Sequence, residues 1–447
     1  MGRIRAFVGV TFVLVVVLVA APAAAQSTGG LGGILLRFFS PDNPVVLQGN
    51  QENPAFSHSA HFVSQPNARA ILRQLNQGIA TQLSTFPVGT SSAGFTFTFD
   101  ETLGIYERTA QSFGPIFTER PLTAGKGKFS FGVNYQHGTW DRFQGEDLGA
   151  GDIQLYLLHE DTNEDGTNTD LWFEGDLIRA DLRLDLTTDT TVVFANYGLG
   201  ERFDIGVAVP YQRVALSASI LTTVDPVATE GDPFVLHQFV GGSQTATFEE
   251  RGTASGLGDV VVRSKWNFLR KSSFAMAAAA DLRLPTGNAD DLLGSGATQV
   301  KAALVFGGAP GRFSPRASVG YTFSSGGSDF TGDLPNEINY TAGFDLAPHP
   351  RVTLSADYIG RTLLDTQYLT EIEQTFNYSP RTDPAVLQVQ RMTVGSTSGN
   401  LNLSLAAVGV KINPVGQLLL VFNSLIAIGN NGLQDDVTPM FGLDYTF

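Results

Sequence analysis

Phe441-Gly442-Leu443-Asp444-Tyr445-Thr446-Phe447 alternates without a break between apolar or aromatic residues and small or polar ones. Successive side chains of a β-strand point to opposite faces, so this stretch presents one wholly apolar face and one face of Gly442, Asp444 and Thr446. The same dyad recurs in Phe203, Ile205, Val207, Val209 and Tyr211 against Asp204, Gly206, Ala208, Pro210 and Gln212. It appears again in Leu182, Leu184 and Leu186 against Asp181, Arg183 and Asp185, and in Val352, Leu354, Ala356 and Tyr358 against Thr353, Ser355 and Asp357. A soluble β-sandwich alternates too, so the connections must decide. Working back from Phe447, strands are expected near 436–447, 417–429, 398–412, 351–366, 335–347, 313–325, 296–308, 274–286, 257–269, 202–216 and 183–197. Tight links at 413–416, 347–350, 308–311, 270–273 and 198–201 alternate with longer ones near 217–256, 287–295, 326–334, 367–397 and 430–435. A sandwich has no reason to sort its loops by parity. A transmembrane antiparallel β-barrel does, with short periplasmic turns and longer external loops.

Toward the N-terminus, 128–140 reads as a further strand, and 141–180 as the first large external loop, within which 153–158 alternates enough to extend the sheet. Two weaker segments, 94–100 (extended to about 108) and 112–120, bring the expected barrel to about 14 strands, with 12 as the fallback. Both counts are even and leave the C-terminal strand ending on the periplasmic side.

Composition agrees with an exported barrel. The 447 residues are 43% hydrophobic and only 16% charged, with 49 Gly and 32 Phe, which excludes a disordered chain. The absence of Cys excludes disulfide scaffolds, thiolate metal sites and thiol nucleophiles. With 28 Lys+Arg against 43 Asp+Glu, a net charge of −15, the chain has little to gain from a phosphate backbone, and no nucleic-acid partner is expected. No cofactor is expected either.

Residues 1–25 read as a signal peptide: Arg3 and Arg5 precede the apolar run from Phe7 to Ala20, and Ala23-Ala24-Ala25 supplies a cleavage site before Gln26. Residues 26–92 fall outside the barrel pattern and are expected to form a partly helical plug or periplasmic cap ahead of the barrel at 93–447. Within them Ile71, Leu72, Leu75, Ile79 and Leu83 recur at spacings of three and four, which predicts an amphipathic helix over 67–83.

Several of these segments together resemble a known family. They are Ser112-Phe113-Gly114-Pro115-Ile116-Phe117-Thr118-Glu119-Arg120-Pro121, the strand from Gly127 to Gln136, the run from Tyr197 to Tyr211, Gly256-Leu257-Gly258-Asp259 leading to Arg263, and Leu284-Pro285-Thr286-Gly287. The chain resembles the outer-membrane transporters grouped as the phenol-degradation meta-pathway type, themselves distantly similar to long-chain fatty-acid channels. The resemblance implies passive uptake of small hydrophobic or aromatic compounds and implies no catalytic residues. The expected setting is the outer membrane, with its lipids as partners and the barrel-assembly machinery engaging the C-terminal strand. The alternatives are a structural or surface-binding barrel and a barrel hydrolase.

Charges on a lipid face are costly, so Asp181, Arg183, Asp185, Asp204, Asp357 and Asp444 are expected to face the lumen, where a ring of carboxylates favours cations. Asp161, Asn163 and Asp165 have the spacing of a calcium loop, but Trp172 stands where a bidentate Glu belongs, and a solvated acidic loop is the simpler expectation. His58 and His61 sit three apart with no nearby carboxylate, which reads as a polar loop. His159 and His237 fall on external loops, and no motif ties either to a nucleophile.

Overall fold

The computed structural model describes residues 30–49, 57–63, 65–87, 94–100, 105–231, 235–308, 311–329, 331–383 and 385–447. The signal-peptide reading of 1–25 lies outside them. Twelve antiparallel strands form the wall: β1 (Phe129–Trp140), β2 (Leu177–Gly200), β3 (Phe203–Asp225), β4 (Val260–Arg270), β5 (Phe274–Leu284), β6 (Ala297–Gly308), β7 (Phe313–Ser328), β8 (Glu337–His349), β9 (Val352–Tyr378), β10 (Leu387–Ile412), β11 (Leu418–Ile428) and β12 (Val437–Thr446). Each pairs with its chain neighbours, and β12 closes on β1 through Met440↔Gln136 to Thr446↔Ser130. A closed wall leaves no unpaired edge, which is the condition for crossing a bilayer with strands.

The count is therefore twelve, the fallback, instead of fourteen. Among the described residues, Phe97–Asp100 and Ile105–Arg108 pair with each other as a small two-stranded sheet apart from the wall. Residues 112–120 form no strand, because Gly114 sits at φ 75° and Pro115 has no N–H to donate. That segment runs inside the barrel instead. Its Phe113 N–H donates to Thr353 Oγ1 at 2.9 Å, and Lys411 Nζ donates to the Pro115 carbonyl at 2.6 Å.

Two of the expected long loops, 217–256 and 367–397, are largely strand. β2 and β3 pair over their whole length, from Leu177↔Asp225 to Gly200↔Phe203, and β9 and β10 pair out to Tyr378↔Leu387. At 23 to 27 residues these strands far exceed the roughly 9–11 that span a bilayer, so their outer halves stand above it. Ile153–Leu158 pairs on the outer half of β2, and Thr245–Leu257 on that of β3, making a collar at the loop end.

Around the wall, Phe203, Ile205, Phe344, Leu354, Phe441 and Leu443 are exposed on the outer face, an apolar belt that water would penalise and lipid would not. Phe447 completes the seam: its N–H donates to the Phe129 carbonyl at 2.7 Å and its ring lies 5.9 Å from that of Phe129. Deleting Phe447 removes the last rung of the closing ladder. The yield of heat-modifiable barrel should fall, and an unchanged yield with unchanged gel mobility on heating would contradict this register.

The collar inverts one sequence expectation. Leu182, Leu184 and Leu186 are 0, 4 and 1% exposed, and they pack inward with Leu31, Ile34, Leu35 and Phe38. Above the bilayer the outside is water, so the apolar face turns in.

The N-terminal segment is what they pack against. Helix α1 (Ile34–Arg37) lies in the collar, where Arg37 meets Glu250 at 3.0 Å. Helix α2 (Pro66–Ser84) opens on a Pro at its first turn, where a missing N–H costs nothing, and ends at Thr85, whose hydroxyl donates back to the Thr81 carbonyl at 2.7 Å. Leu72, Leu75 and Ile79 are 0, 0 and 1% exposed, each burial contributing about 1.5–3 kcal/mol; Leu83 is also buried and Ile71 half-buried at the margin. The helix starts at the collar, where Gln65 Nε2 donates to the Leu158 carbonyl at 2.9 Å, and descends into the barrel, where Gln82 Oε1 accepts from Leu433 N. Beyond it the chain reaches the turn end, where Gly94 N–H donates to Asp444 and Ala124 N–H to Asp204. It leaves over the rim at Gly125 (φ 101°), pressed so closely on β2 that a Cβ at Gly198 would come within 1.9 Å of the Gly125 carbonyl.

Candidate functional site

At one level of the barrel, strand register places Arg263 beside Asp281, Asp281 beside Lys301, Lys301 beside Thr322 and Thr322 beside Glu337. Arg361 on β9 reaches Glu337 at 2.5 Å, and Arg263 meets Asp281 at 2.7 Å. Six neighbouring strands thus contribute charged or polar side chains to one band, because each carries an inward-facing residue near the same height. The interior segment adds Glu119, 2.8 Å from Arg263 and 3.4 Å from Lys265.

This band also holds the end of α2. Arg283 Nη1 donates to the Ser84 carbonyl at 2.5 Å, and Arg361 donates to the Thr85 carbonyl at 3.1 Å and to its hydroxyl at 2.9 Å. The last carbonyls of a helix lack intrahelical partners and carry partial negative charge, so two guanidiniums suit them on both counts.

Beside α2 runs a series of cavities. One of about 290 Å³ lies between Gln74, Gln77 and Thr81 of the helix and Leu363 to Leu369 of β9. A narrow one of about 40 Å³ follows, sharing Gln82 with it. A third of about 160 Å³ shares Pro87, Ile359 and Arg361 with the second and is walled by Arg263, Asp281, Arg283, Lys301, Glu337 and Arg361.

The structure relocates several residues singled out in the sequence. Arg183 and Asp185 are exposed on the outer face of β2 above the bilayer, and Asp181 lies on the same side, paired with Arg179 at 3.2 Å. Alternation separates two faces without saying which one faces in, and in the collar the assignment inverts. Asp204, Asp357 and Asp444 are buried inside at 3, 6 and 4% exposure. They do not make an uncompensated acidic ring. Arg316 stands between Asp345 and Asp357 at 2.8 and 2.7 Å, and Arg120, Lys265 and Lys411 are buried in the same interior. The basic members on the wall were missed because each is a single residue in an alternating strand, as Arg263 is after Val261, and Arg120 because its segment reads as a strand of the wall. Period-two counting of inward positions would have found those on the wall.

Asp161 and Asp165 hydrogen-bond within their own loop. Asp161 accepts from the Gly166 N–H at 2.7 Å, Asp165 from the Thr167 N–H at 2.7 Å, and Asn163 donates to Asp170. His58, His61, His159 and His237, in contrast, are drawn into one cluster at the collar. Burial first, then the neighbouring imidazoles, pushes His58 down to about 4; burial also pushes His159 down to about 3 and lowers His61.

Residues 174–369 match the family described as "Putative MetA-pathway of phenol degradation". No curated protein matches. Among solved structures the chain is similar to an outer membrane channel of Pseudomonas putida F1, with 12% identity over 74% of this chain and 100% of that one at a TM-score of 0.44. A FadL homologue of Pseudomonas aeruginosa is similar at 12% identity over 73% of this chain and 92% of that one, with a TM-score of 0.31. The Ralstonia pickettii toluene transporter TbuX is similar at 12% identity over 74% and 92%, with a TM-score of 0.27.

Proposed function

We propose, from a phenol-degradation-type segment that runs from β2 into β9, that the protein is an outer-membrane channel for passive uptake of small hydrophobic or aromatic compounds. The signal peptide is cleaved after Ala25, the tight turns face the periplasm, and the C-terminal strand is the one the assembly machinery reads. The lumen plug is made by the described residues between 30 and 87 together with those from Gly94 to Thr96 and from Ser112 to Ala124, so it extends beyond the 26–92 segment expected from sequence, while Ile105–Arg108 stays exposed. The observation that carries the reading is the row of cavities beside α2, each sharing lining residues with the next; a solute handed along them would pass the plug without a wide aqueous pore. Flux of phenol and toluene into liposomes bearing the full-length protein tests it. Uptake above that of empty liposomes is expected, and none would leave a structural or surface-binding barrel.

The innermost cavity qualifies the cargo. Its wall carries four cationic side chains, Arg263, Arg283, Lys301 and Arg361, against two carboxylates, Asp281 and Glu337. A confined excess of positive charge attracts anions, so aromatic carboxylates should pass better than neutral rings of the same size. In a salt gradient the reversal potential should report anion preference at low ionic strength, weakened at high salt by screening. Cation preference at low salt would reject this assignment and restore the acidic lumen expected from sequence. Replacing Lys301 by Gln, which removes one charge from the band, should shift the reversal potential toward zero.

A further inference from the structure

We propose that His58, His61, His159 and His237 form a structural site for one divalent transition-metal ion of the zinc class, which clips the N-terminal segment to two collar loops. The four side chains come from far apart. His58 and His61 belong to the interior segment, His159 follows Ile153–Leu158, and His237 lies between β3 and Thr245–Leu257. Their ligand atoms nevertheless all lie within 4.8 Å of one another. His61 Nδ1 is 2.7 Å from His159 Nε2, and His237 Nε2 is 3.1 Å from His58 Nδ1. A tetrahedral ion with metal–nitrogen bonds of about 2.0–2.1 Å needs nitrogens roughly 3.3 Å apart, somewhat wider than these two contacts and inside the 4.8 Å within which all four ligand atoms lie, so the rings must turn apart to admit it.

The surroundings already fix which nitrogens face inward. His237 Nδ1–H donates to Asp176 Oδ2 at 2.7 Å, and His159 Nδ1–H donates to the Glu160 carbonyl at 2.6 Å. Both partners leave Nε2 as a lone pair aimed at the cluster, the arrangement in which a carboxylate or carbonyl orients a metal-binding imidazole. Asp176 is itself held on several sides: fully buried, it accepts from the Ala228 and Thr229 N–H groups at 3.0 Å and from the Thr229 hydroxyl at 2.7 Å. Its charge offsets part of that of the ion. Without a metal, His58 and His61 donate their Nδ1–H to the two lone pairs. With one, both switch to the Nε2–H tautomer and turn Nδ1 to the ion, so four neutral imidazoles bind without net proton release.

The donor set selects the ion. Imidazole nitrogens suit zinc, copper, nickel and cobalt and do not suit calcium or magnesium, which require oxygen. Four protein ligands leave no open position, which marks a structural centre and not a catalytic one. Three of the four rings are buried, Phe62 and Phe173 wall the cluster, and partly exposed His61 offers the way in. The inference stands apart from the cargo, since it concerns only how the interior segment is anchored.

The test uses tag-free barrel in detergent, stripped with a chelator and confirmed folded by heat-modifiable mobility, then titrated with zinc or cobalt chloride. One ion per chain is expected, and cobalt should give the intense visible absorption of a tetrahedral site. The double variant His159→Ala/His237→Ala should lose this uptake. Asp176→Asn keeps every ligand and should bind about 10–100-fold more weakly, which guards against a double variant that fails to fold. Absence of stoichiometric uptake by the folded wild type, or uptake unchanged in both variants, overturns the proposal.

Discussion

Removing residues 26–83 while retaining the signal peptide should turn a poorly conducting barrel into a strongly conducting one. A twelve-stranded wall encloses more space than its own side chains fill, since about eight strands already suffice for that. Here the surplus is taken up by the N-terminal segment, with α2 held by an apolar stripe at Leu72, Leu75 and Ile79 and by Arg283 and Arg361 at its end. Deleting it frees the collar and the upper lumen. The turn end stays partly occupied, because Phe113, Ile116 and Arg120 belong to the part that remains. Conductance should therefore rise in two steps, first on removing 26–83 and again on removing 26–120. Equal ion conductance of full-length and truncated proteins, both heat-modifiable, would mean that the segment does not restrict the pore. A milder probe points the same way. Leu72→Ala and Leu75→Ala should each weaken docking by about 2–5 kcal/mol, and the paired variant should conduct intermittently.

Replacing Arg316 by Ala should destabilise the wall by about 3–5 kcal/mol, read as a lowered denaturant midpoint for loss of the compact gel band. Arg316, Gly343 and Asp357 are in-register neighbours on β7, β8 and β9. A Cβ at Gly343 would lie 2.1 Å from the Asp357 carboxylate, so a glycine on the middle strand is what lets the guanidinium reach across it. Asp345 takes its other side, and all three charged side chains are at most 3% exposed. Loss of the cation leaves two buried carboxylates facing each other. Adding Asp345→Asn and Asp357→Asn should recover most of the loss, because it removes the stranded charges. A change below about 1 kcal/mol in the single variant would mean that lumen water solvates the pair as well as Arg316 does.

Alternation and loop parity are properties of short stretches, and they were enough to specify a closed antiparallel barrel with an amphipathic helix ahead of it. The helix of Leu72, Leu75 and Ile79 was legible for the same reason, its spacing being local. What a face meets is not local. Leu182, Leu184 and Leu186 alternate as a lipid-facing strand does, yet they turn inward, because the strand has risen above the bilayer and the N-terminal segment fills the space behind it. Ser112 to Arg120 carries apolar residues enough for a strand, but the wall had already closed at twelve and the segment became filling. The inner band of charges follows from register across several strands, and the histidine cluster joins residues 98 and 179 positions apart. A single chain pass reads periodicity; only closure of the sheet around its own N-terminus decides which residues come to share a volume, because burial and pairing depend on the partner that arrives from elsewhere in the chain.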